Sequence, residues 1–296
     1  MDLSTILSAL VQISTMLIIF SIGLQSRWSD LLHAVARPRL LFGGFIAVYV
    51  AVPLAAFACV MLLPIEPAVK IGIVAMALSP LAPVVPGKML DCGAESSYVV
   101  GMYVALLILA VPVVPATLAL VTTVSGGTAS IHPWTVAFLV VTSILLPLLA
   151  GIFLGGVVPA AAGRIAPIVR AGAFGTVAIL VALLLIAAHR QLLDCVGNGT
   201  LLAIVVAELA GLVCGHLIGG PDPGERMALG QAAASRHPGL AVLIIKQSFE
   251  IDPPMLAAVL LYLVVGVVIS ALYLRWARGR LAGSGPAVSD RQVKSR

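Results

Sequence analysis

Long apolar runs recur through almost the whole of this 296-residue chain, in which 61% of the residues are hydrophobic and only 10% are charged. A run of about 20 apolar residues can cross the roughly 30 Å hydrocarbon core of a bilayer as a helix. Because lipid offers no hydrogen-bond partners, the backbone of such a segment must satisfy itself internally. The sequence therefore predicts an all-α polytopic membrane protein, multi-pass in the cell membrane and surrounded by the lipid bilayer.

Charged or turn-rich segments divide the apolar runs into nine predicted spans, with the first taken as a span and not as a cleaved signal peptide. Their bounds are roughly 5 to 24, 40 to 62, 68 to 87, 96 to 121, 134 to 158, 171 to 188, 200 to 219, 227 to 245 and 255 to 274. After the first span, Trp28, Leu31, Leu32 and Val35 fall on one face of a short helix, which predicts a helix lying on the membrane surface. A transmembrane domain is predicted over residues 1–275, followed by a disordered basic cytoplasmic tail over 276–296.

The net charge of the chain is +5. Its cations lie mostly in loops between the spans and in the C-terminal tail, as is usual for membrane proteins, so the charge does not indicate a nucleic-acid partner. With nine spans, thirteen of the seventeen Lys and Arg residues fall on one side of the membrane and three on the other, and Arg236 lies within a span. Cytoplasmic loops are enriched in Lys and Arg, so this asymmetry predicts an outside N-terminus and an inside C-terminus. The oligomeric state cannot be deduced from the sequence.

Enzyme, metal and cofactor motifs are missing from the sequence. The cysteines Cys59, Cys92, Cys195 and Cys214 are far apart, with no spacing typical of a disulfide framework or a zinc site. There is no HExxH, no GxSxG and no Cys or His cluster. We therefore predict no enzyme, no metal and no cofactor. A non-transporting membrane sensor stays open as an alternative, although the chain has no soluble signalling domain to favour it.

Two predicted spans contain residues that interrupt a helix. The third, "ALSPLAPVVPGK", has Pro80, Pro83 and Pro86, and the eighth contains "SRHPG", in which Pro238 and Gly239 follow Arg236 and His237. Spans three and eight run in opposite directions in a nine-span chain. Broken helices in inverted positions are typical of secondary transporters, whose site lies near the bilayer midplane. Prolines that merely kink a helix are the alternative.

The chain resembles the bile acid:sodium symporter family in "FSIGLQSRWSDL", "ARPRLL", "ALSPLAPVVPGKML" and above all "AAASRHPGLAV". The resemblance covers residues 1 to about 275. It implies two inverted repeats that form a panel domain and a core domain, with two discontinuous helices crossing in the core. It also implies secondary transport of an organic anion.

This sequence departs from the family pattern at the residues that would bind sodium. Sodium-coupled members carry a Glu, then Gln-Asn-Ser before Gly-Leu-Ala, where this chain has Ala232 and then Arg236, His237 and Pro238. Sodium prefers hard oxygen ligands, and here a carboxylate is replaced by methyl and a fixed positive charge is added. We therefore expect transport of a small organic anion without sodium coupling. A sodium-coupled symporter with a rebuilt ion site is the alternative.

The candidate substrate and ion site centres on Arg236, which could replace the sodium charge or pair with a carboxylate or sulfonate. His237 could titrate and couple transport to protons, or could be a structural residue. Glu208 is the only acid within a predicted span, and we expect it near Arg236, as a direct partner or across a shared cavity. A hydrogen bond from Glu208 to a backbone carbonyl exposed by the break is the alternative. The remaining candidate site residues are Ser79, Gln231 and Ser235. Lys88 is assigned to a span end, with its amine at the interface.

Overall fold

The computed structural model describes residues 3–124 and 133–283, and all the regular elements within them are helices. The first half contains α1 (Leu3–Gln25), α2 (Trp28–Val35), α3 (Pro38–Phe45), α4 (Val52–Leu62), α5 (Pro67–Leu78), α6 (Val85–Asp91) and α7 (Ser96–Val124). The second half contains α8 (Pro133–Val140), α9 (Leu146–Val157), α10 (Pro159–Ala187), α11 (His189–Cys195), α12 (Thr200–Ile218), α13 (Pro223–Ala233), α14 (Pro238–Ser248) and α15 (Pro253–Gly283). Two π-helical segments, Ile46–Ala51 and Val141–Leu145, connect α3 to α4 and α8 to α9.

Six helical segments of the described chain are long and apolar enough to cross a membrane. They are Pro38–Leu62, Ser96–Leu120, Trp134–Val157, Pro159–Ala187, Thr200–Ile218 and Pro253–Arg280. α1 and α2 pass the same test only as a pair, and they meet at an angle of 87°. This confirms an all-helical polytopic membrane protein. The predicted short helix after the first span is α2, with Trp28, Leu32 and Val35 exposed on it.

Close helix packing defines two groups of helices. α1 packs along α9 and α10, and a methyl group added at Gly23 would lie 2.4 Å from the Leu148 carbonyl oxygen. In the other group, α12 packs against α13 and α4, and α15 packs against α5. Gly215 of α12 lies against the backbone of Gly230 in α13. Small residues at such contacts let helix backbones approach closely, which is how helices associate in lipid.

The third and eighth apolar runs each form two shorter helices with a break between them. α5 ends at Leu78 and α6 begins at Val85, while α13 ends at Ala233 and α14 begins at Pro238. By contrast, α7 continues through Pro112 and Pro115 without interruption. Proline alone therefore does not end a helix in this protein, and the two breaks need partners for the backbone groups that they release.

The structure corrects the predicted helix bounds and break residues. Pro86 and Pro238 are not part of the breaks: both lie in the first turn of the following helix, where a missing N–H removes no helical hydrogen bond. Gly239 likewise belongs to α14. Pro80 and Pro83 do lie in the first break.

Two helices are longer than predicted. α10 begins at Pro159 and not near residue 171, because Arg164, exposed on its surface, is compatible with helix. α15 continues past residue 275 to Gly283. The remainder of the predicted tail, 284–296, lies outside the described residues.

Candidate functional site

The two breaks bind each other through their backbones. Leu81 and Arg236 form an antiparallel bridge, in which the His237 N–H donates to the Pro80 carbonyl at 3.0 Å. The Ala82 N–H donates to the Ser235 carbonyl at 3.1 Å. Around this bridge α5 packs against α14, and α6 packs against α13. Two N–H groups and two carbonyls released by the breaks are thus paired with each other across the junction.

The Arg236 guanidinium lies at the junction of the breaks and is only 4% exposed. Its Nη1 donates to the Ser79 carbonyl at 3.2 Å, and its Nη2 donates to the carbonyls of Ala233 at 3.1 Å and Val48 at 2.7 Å. Ser79 caps the C-terminus of α5, and Ala233 is the last residue of α13. The C-terminal end of a helix carries partial negative charge, so two helix ends converge on this cation.

The local sequence favours the contact between the Val48 carbonyl and Arg236. Val48 lies in the π-helical segment Ile46–Ala51, and a π-helix pairs a carbonyl with the N–H five residues later. For Val48 that position is Pro53, which has no N–H. Pro53 therefore offers no donor that competes with the guanidinium at this spacing.

His237 acts as the N-cap of α14. Its Nδ1 accepts a hydrogen bond from the Leu240 N–H at 3.3 Å, while its own N–H also contacts the Ser79 hydroxyl at 3.1 Å. A protonated imidazole has no lone pair at Nδ1, so this cap requires the neutral ring, with the proton on Nε2. The geometry favours the structural interpretation of His237 over proton coupling.

A second polar cluster contains Lys88, Gln231, Ser235 and Ser270. The Lys88 Nζ donates to the Ser270 hydroxyl at 2.7 Å and to the Ser235 hydroxyl at 3.2 Å. Gln231 also donates to Ser270, while its own side-chain oxygen is buried without a partner among the described residues. The assignment of the Lys88 amine to the membrane interface is therefore wrong. The Lys88 side chain points from α6 towards Ser235 in the second break and Ser270 in α15.

Glu208 does not form the direct ion pair with Arg236. The ion pairs of the described residues join Arg37 to Glu225 and Arg278 to Asp91, at 2.9 Å for the second pair. Glu208 is 2% exposed, and its Oε2 has no hydrogen-bond partner in the described chain. All three hydrogen bonds that Arg236 donates go to backbone carbonyls instead, so the direct pair with Glu208 does not form.

Close packing on α15 limits the space around Glu208. A methyl group added at Gly266 would lie 2.8 Å from the Glu208 Oε1. The buried Tyr262 hydroxyl, one helical turn away on α15, also has no partner within the described residues. Within the described residues, Glu208 forms no hydrogen bond with a backbone carbonyl exposed by the break either.

Comparison with known protein families decides the family assignment. Residues 12–194 match the model of the Sodium Bile acid symporter family. The chain belongs to this family. Family members are membrane transporters and not enzymes, so this chain is a membrane protein of the transporter class. No curated protein matches the chain. The family match includes the first break, whereas Arg236 and the second break lie beyond residue 194.

Sequence reasoning missed two residues of the site. Ser270 is the one serine of the ninth predicted span, and its polarity in "VVGVVISALYL" is the signal that could have found it. Lys88 lies at the end of an apolar run, where interfacial lysines are common. No group of three or more His, Cys, Asp or Glu side chains suited to a metal occurs in the described ranges, and the four cysteines are free thiols.

Proposed function

We propose that this protein is a secondary active transporter of a small organic anion across the cell membrane, and that it does not need sodium. One observation carries the proposal: the Arg236 guanidinium binds the carbonyls at the C-terminal ends of α5 and α13. A monovalent cation would be favoured at this position by the two helix ends. A covalently attached cation that occupies it leaves no charge position for a sodium ion.

We propose that the substrate anion binds Lys88 and not Arg236. Arg236 uses both terminal nitrogens on backbone carbonyls, whereas the Lys88 ammonium has three protons and two serine acceptors. Lys88 is also half-buried and not fully enclosed, so that one side of it is accessible. A carboxylate or sulfonate could bind Lys88 together with the Ser235 hydroxyl.

The transport architecture we propose has nine spans. It adds α1 and the two broken helices, α5 with α6 and α13 with α14, to the six long segments. The pairing of the two breaks supports a crossing of these helices as part of two inverted repeats. We propose residues 1–275 as the transport domain, an outside N-terminus and an inside C-terminus. Impermeant thiol labelling of cysteines introduced at positions 3 and 285 should modify them from opposite sides.

Uptake by proteoliposomes tests the function. Labelled acetate, pyruvate, taurine and taurocholate would be offered one at a time, with sodium or choline outside at constant pH. We expect at least one of the anions to accumulate at the same rate in both salts, and we expect Lys88→Met to abolish that uptake. Protein-free liposomes and Arg164→Gln, which removes an exposed charge on α10, are the controls.

A sodium-coupled symporter is the second candidate, because two buried oxygens have no partner within the described chain. They are the Gln231 Oε1 and the Glu208 Oε2, and both are hard ligands that a sodium ion prefers. A drop of about tenfold or more in uptake when choline replaces sodium, equal to about 1.4 kcal/mol, would favour this candidate over the first.

A further inference from the structure

A cavity opens at the end of the molecule where α12, α13 and α15 meet, away from the two breaks. Its volume is about 580 Å³, and it is lined by His216, Arg226, Trp276, Gly279 and Arg280 among others. A second, shallower cavity of about 440 Å³ shares three of these residues and adds Leu272 and Arg275. Both cavities are rich in arginine, which indicates a site for an anion.

The acidic side chains near this end have partners other than Arg226: the Asp222 Oδ1 accepts a hydrogen bond from the Glu225 N–H at 3.0 Å. Asp91 is paired with Arg278 at 2.9 Å, and Glu225 is paired with Arg37. Arg226 is half-buried, its Nε donates to the His216 carbonyl at 3.2 Å, and its two terminal nitrogens have no partner among the described residues. These two nitrogens present a planar pair of donors, which matches the oxygens of a phosphate group.

The aromatic residues give the cavity a rigid wall. The His216 Nδ1 lies 2.7 Å from the Tyr273 hydroxyl, and the His216 ring meets Trp276 edge-on at 5.6 Å. The Arg280 guanidinium lies over the Trp276 ring, 5.4 Å from its centroid. Tryptophan and arginine side by side are typical of the level of lipid headgroups in a membrane protein.

An apolar stripe leads from the cavity along the lipid-facing surface of α15. Val264, Val268, Leu272 and Trp276 are all exposed and follow each other at four-residue spacing, so they lie on one face of the helix. Arg280 continues the same row beyond Trp276. A surface that joins a long apolar stripe to a cluster of arginines matches a molecule with acyl chains and a negatively charged head.

We propose that this cavity binds the headgroup of an anionic phospholipid, with its acyl chains along the Val264 to Leu272 stripe. Arg226, which lies in α13, and Arg280, which lies in α15, would both bind the phosphate. The lipid would thereby join the N-terminal half of the second broken helix to the last span. Juxtamembrane arginines contribute to anionic lipid binding individually, at about fivefold in affinity for each. The proposal does not depend on the substrate or on the coupling ion.

The experiment uses the full-length protein in neutral detergent. Its thermal unfolding would be followed during titration with phosphatidylglycerol, phosphatidylcholine and inorganic phosphate, since a ligand of the folded state raises the unfolding temperature. We expect a saturable rise with phosphatidylglycerol and little or none with the other two. Arg226→Gln with Arg280→Gln should weaken this response by about 25-fold in lipid concentration, from fivefold for each arginine.

Two matched controls separate a defined site from general surface charge. Arg164→Gln with Arg170→Gln removes two charges from α10 and should leave the titration unchanged. Gly279→Leu fills the cavity without changing charge, because a side chain at Gly279 meets no atom within 4 Å, and it should reduce the response; Gly163→Leu is its equivalent on α10. An equal response in all the variants would overturn the proposal. An equal rise with inorganic phosphate would also overturn it, in favour of a soluble anion.

Discussion

The two helix breaks lie against each other but differ in the side chains and backbone groups that they offer. The first break, between α5 and α6, offers acceptors: the carbonyls of Ser79 and Pro80 and the Ser79 hydroxyl. The second, between α13 and α14, offers donors: the Arg236 guanidinium and the His237 N–H. Among the bonds between the breaks in the described residues, the one from the Ala82 N–H to the Ser235 carbonyl runs the other way. In lipid there is no water to pair with these groups, so the donors of one break and the acceptors of the other stabilise each other.

This comparison predicts that changes to the donors of the second break cost more than changes to the prolines that flank the breaks. The largest effect is expected for Arg236→Met. Three buried carbonyls lose their donor, and breaking a buried charged network typically costs about 3 to 5 kcal/mol. The free energy of unfolding, measured by titration with denaturing detergent, should fall by that amount.

Arg236→Lys sharpens this test. A lysine keeps the charge but presents a single nitrogen, which cannot reach the three carbonyls in the geometry of the guanidinium. Its stability should lie between those of the wild type and Arg236→Met. Full stability of Arg236→Met would contradict this expectation, because it would show that the three carbonyls do not need the guanidinium.

A smaller loss is expected at the cap of α14. His237→Ala removes the acceptor of the Leu240 N–H, and the loss of an N-cap side chain costs about 1 kcal/mol. His237→Asn supplies another good capping side chain and should restore most of the stability. If the asparagine variant were as unstable as the alanine variant in the same unfolding titration, His237 would act through something other than the cap.

Coupling between Arg236 and Glu208 should be weak, because the Arg236 donors all go to carbonyls. We expect a double-mutant cycle with Arg236→Met and Glu208→Gln to give a coupling energy below about 1 kcal/mol, as for charges that attract without an ion pair. A coupling of about 3 kcal/mol or more would reinstate the direct pair.

The smallest effects are expected at Pro86 and Pro238. Both prolines lie in the first turn of a helix, so alanine there neither repairs nor breaks a helical hydrogen bond. Pro86→Ala and Pro238→Ala should each change the free energy of unfolding by less than about 0.5 kcal/mol. A large loss in either variant would mean that the proline ring itself holds the break.

Hydropathy predicts the helices and the places where they break, because long apolar runs and clustered prolines are local properties of the chain. Hydropathy does not predict whether a charged side chain points towards the membrane surface or into the protein. Lys88 follows an apolar run, as interfacial lysines do, yet α6 turns its ammonium group inward to Ser235 and Ser270. Glu208 and Arg236 are both lone charges, but their separation depends on the packing of α12 against α13, which periodicity does not determine.

The acceptors of Arg236 show a second limit. Ala233 is close in sequence, whereas Val48 and Ser79 come from distant segments that only the fold brings together. The sequence shows Pro53 within an apolar run. It does not show that a π-helical segment precedes this proline, or that the Val48 carbonyl there binds Arg236. The presence of a buried arginine could be predicted, and its partners could not.

We propose that Arg236 replaces a bound sodium ion, and thermal unfolding in two salts tests this without any knowledge of the substrate. The purified protein would be unfolded at increasing sodium chloride, with choline chloride added to keep the ionic strength constant. A ligand of the folded state raises the unfolding temperature with its concentration, so we expect the same unfolding temperature throughout. A saturable rise with sodium that choline does not reproduce would contradict it.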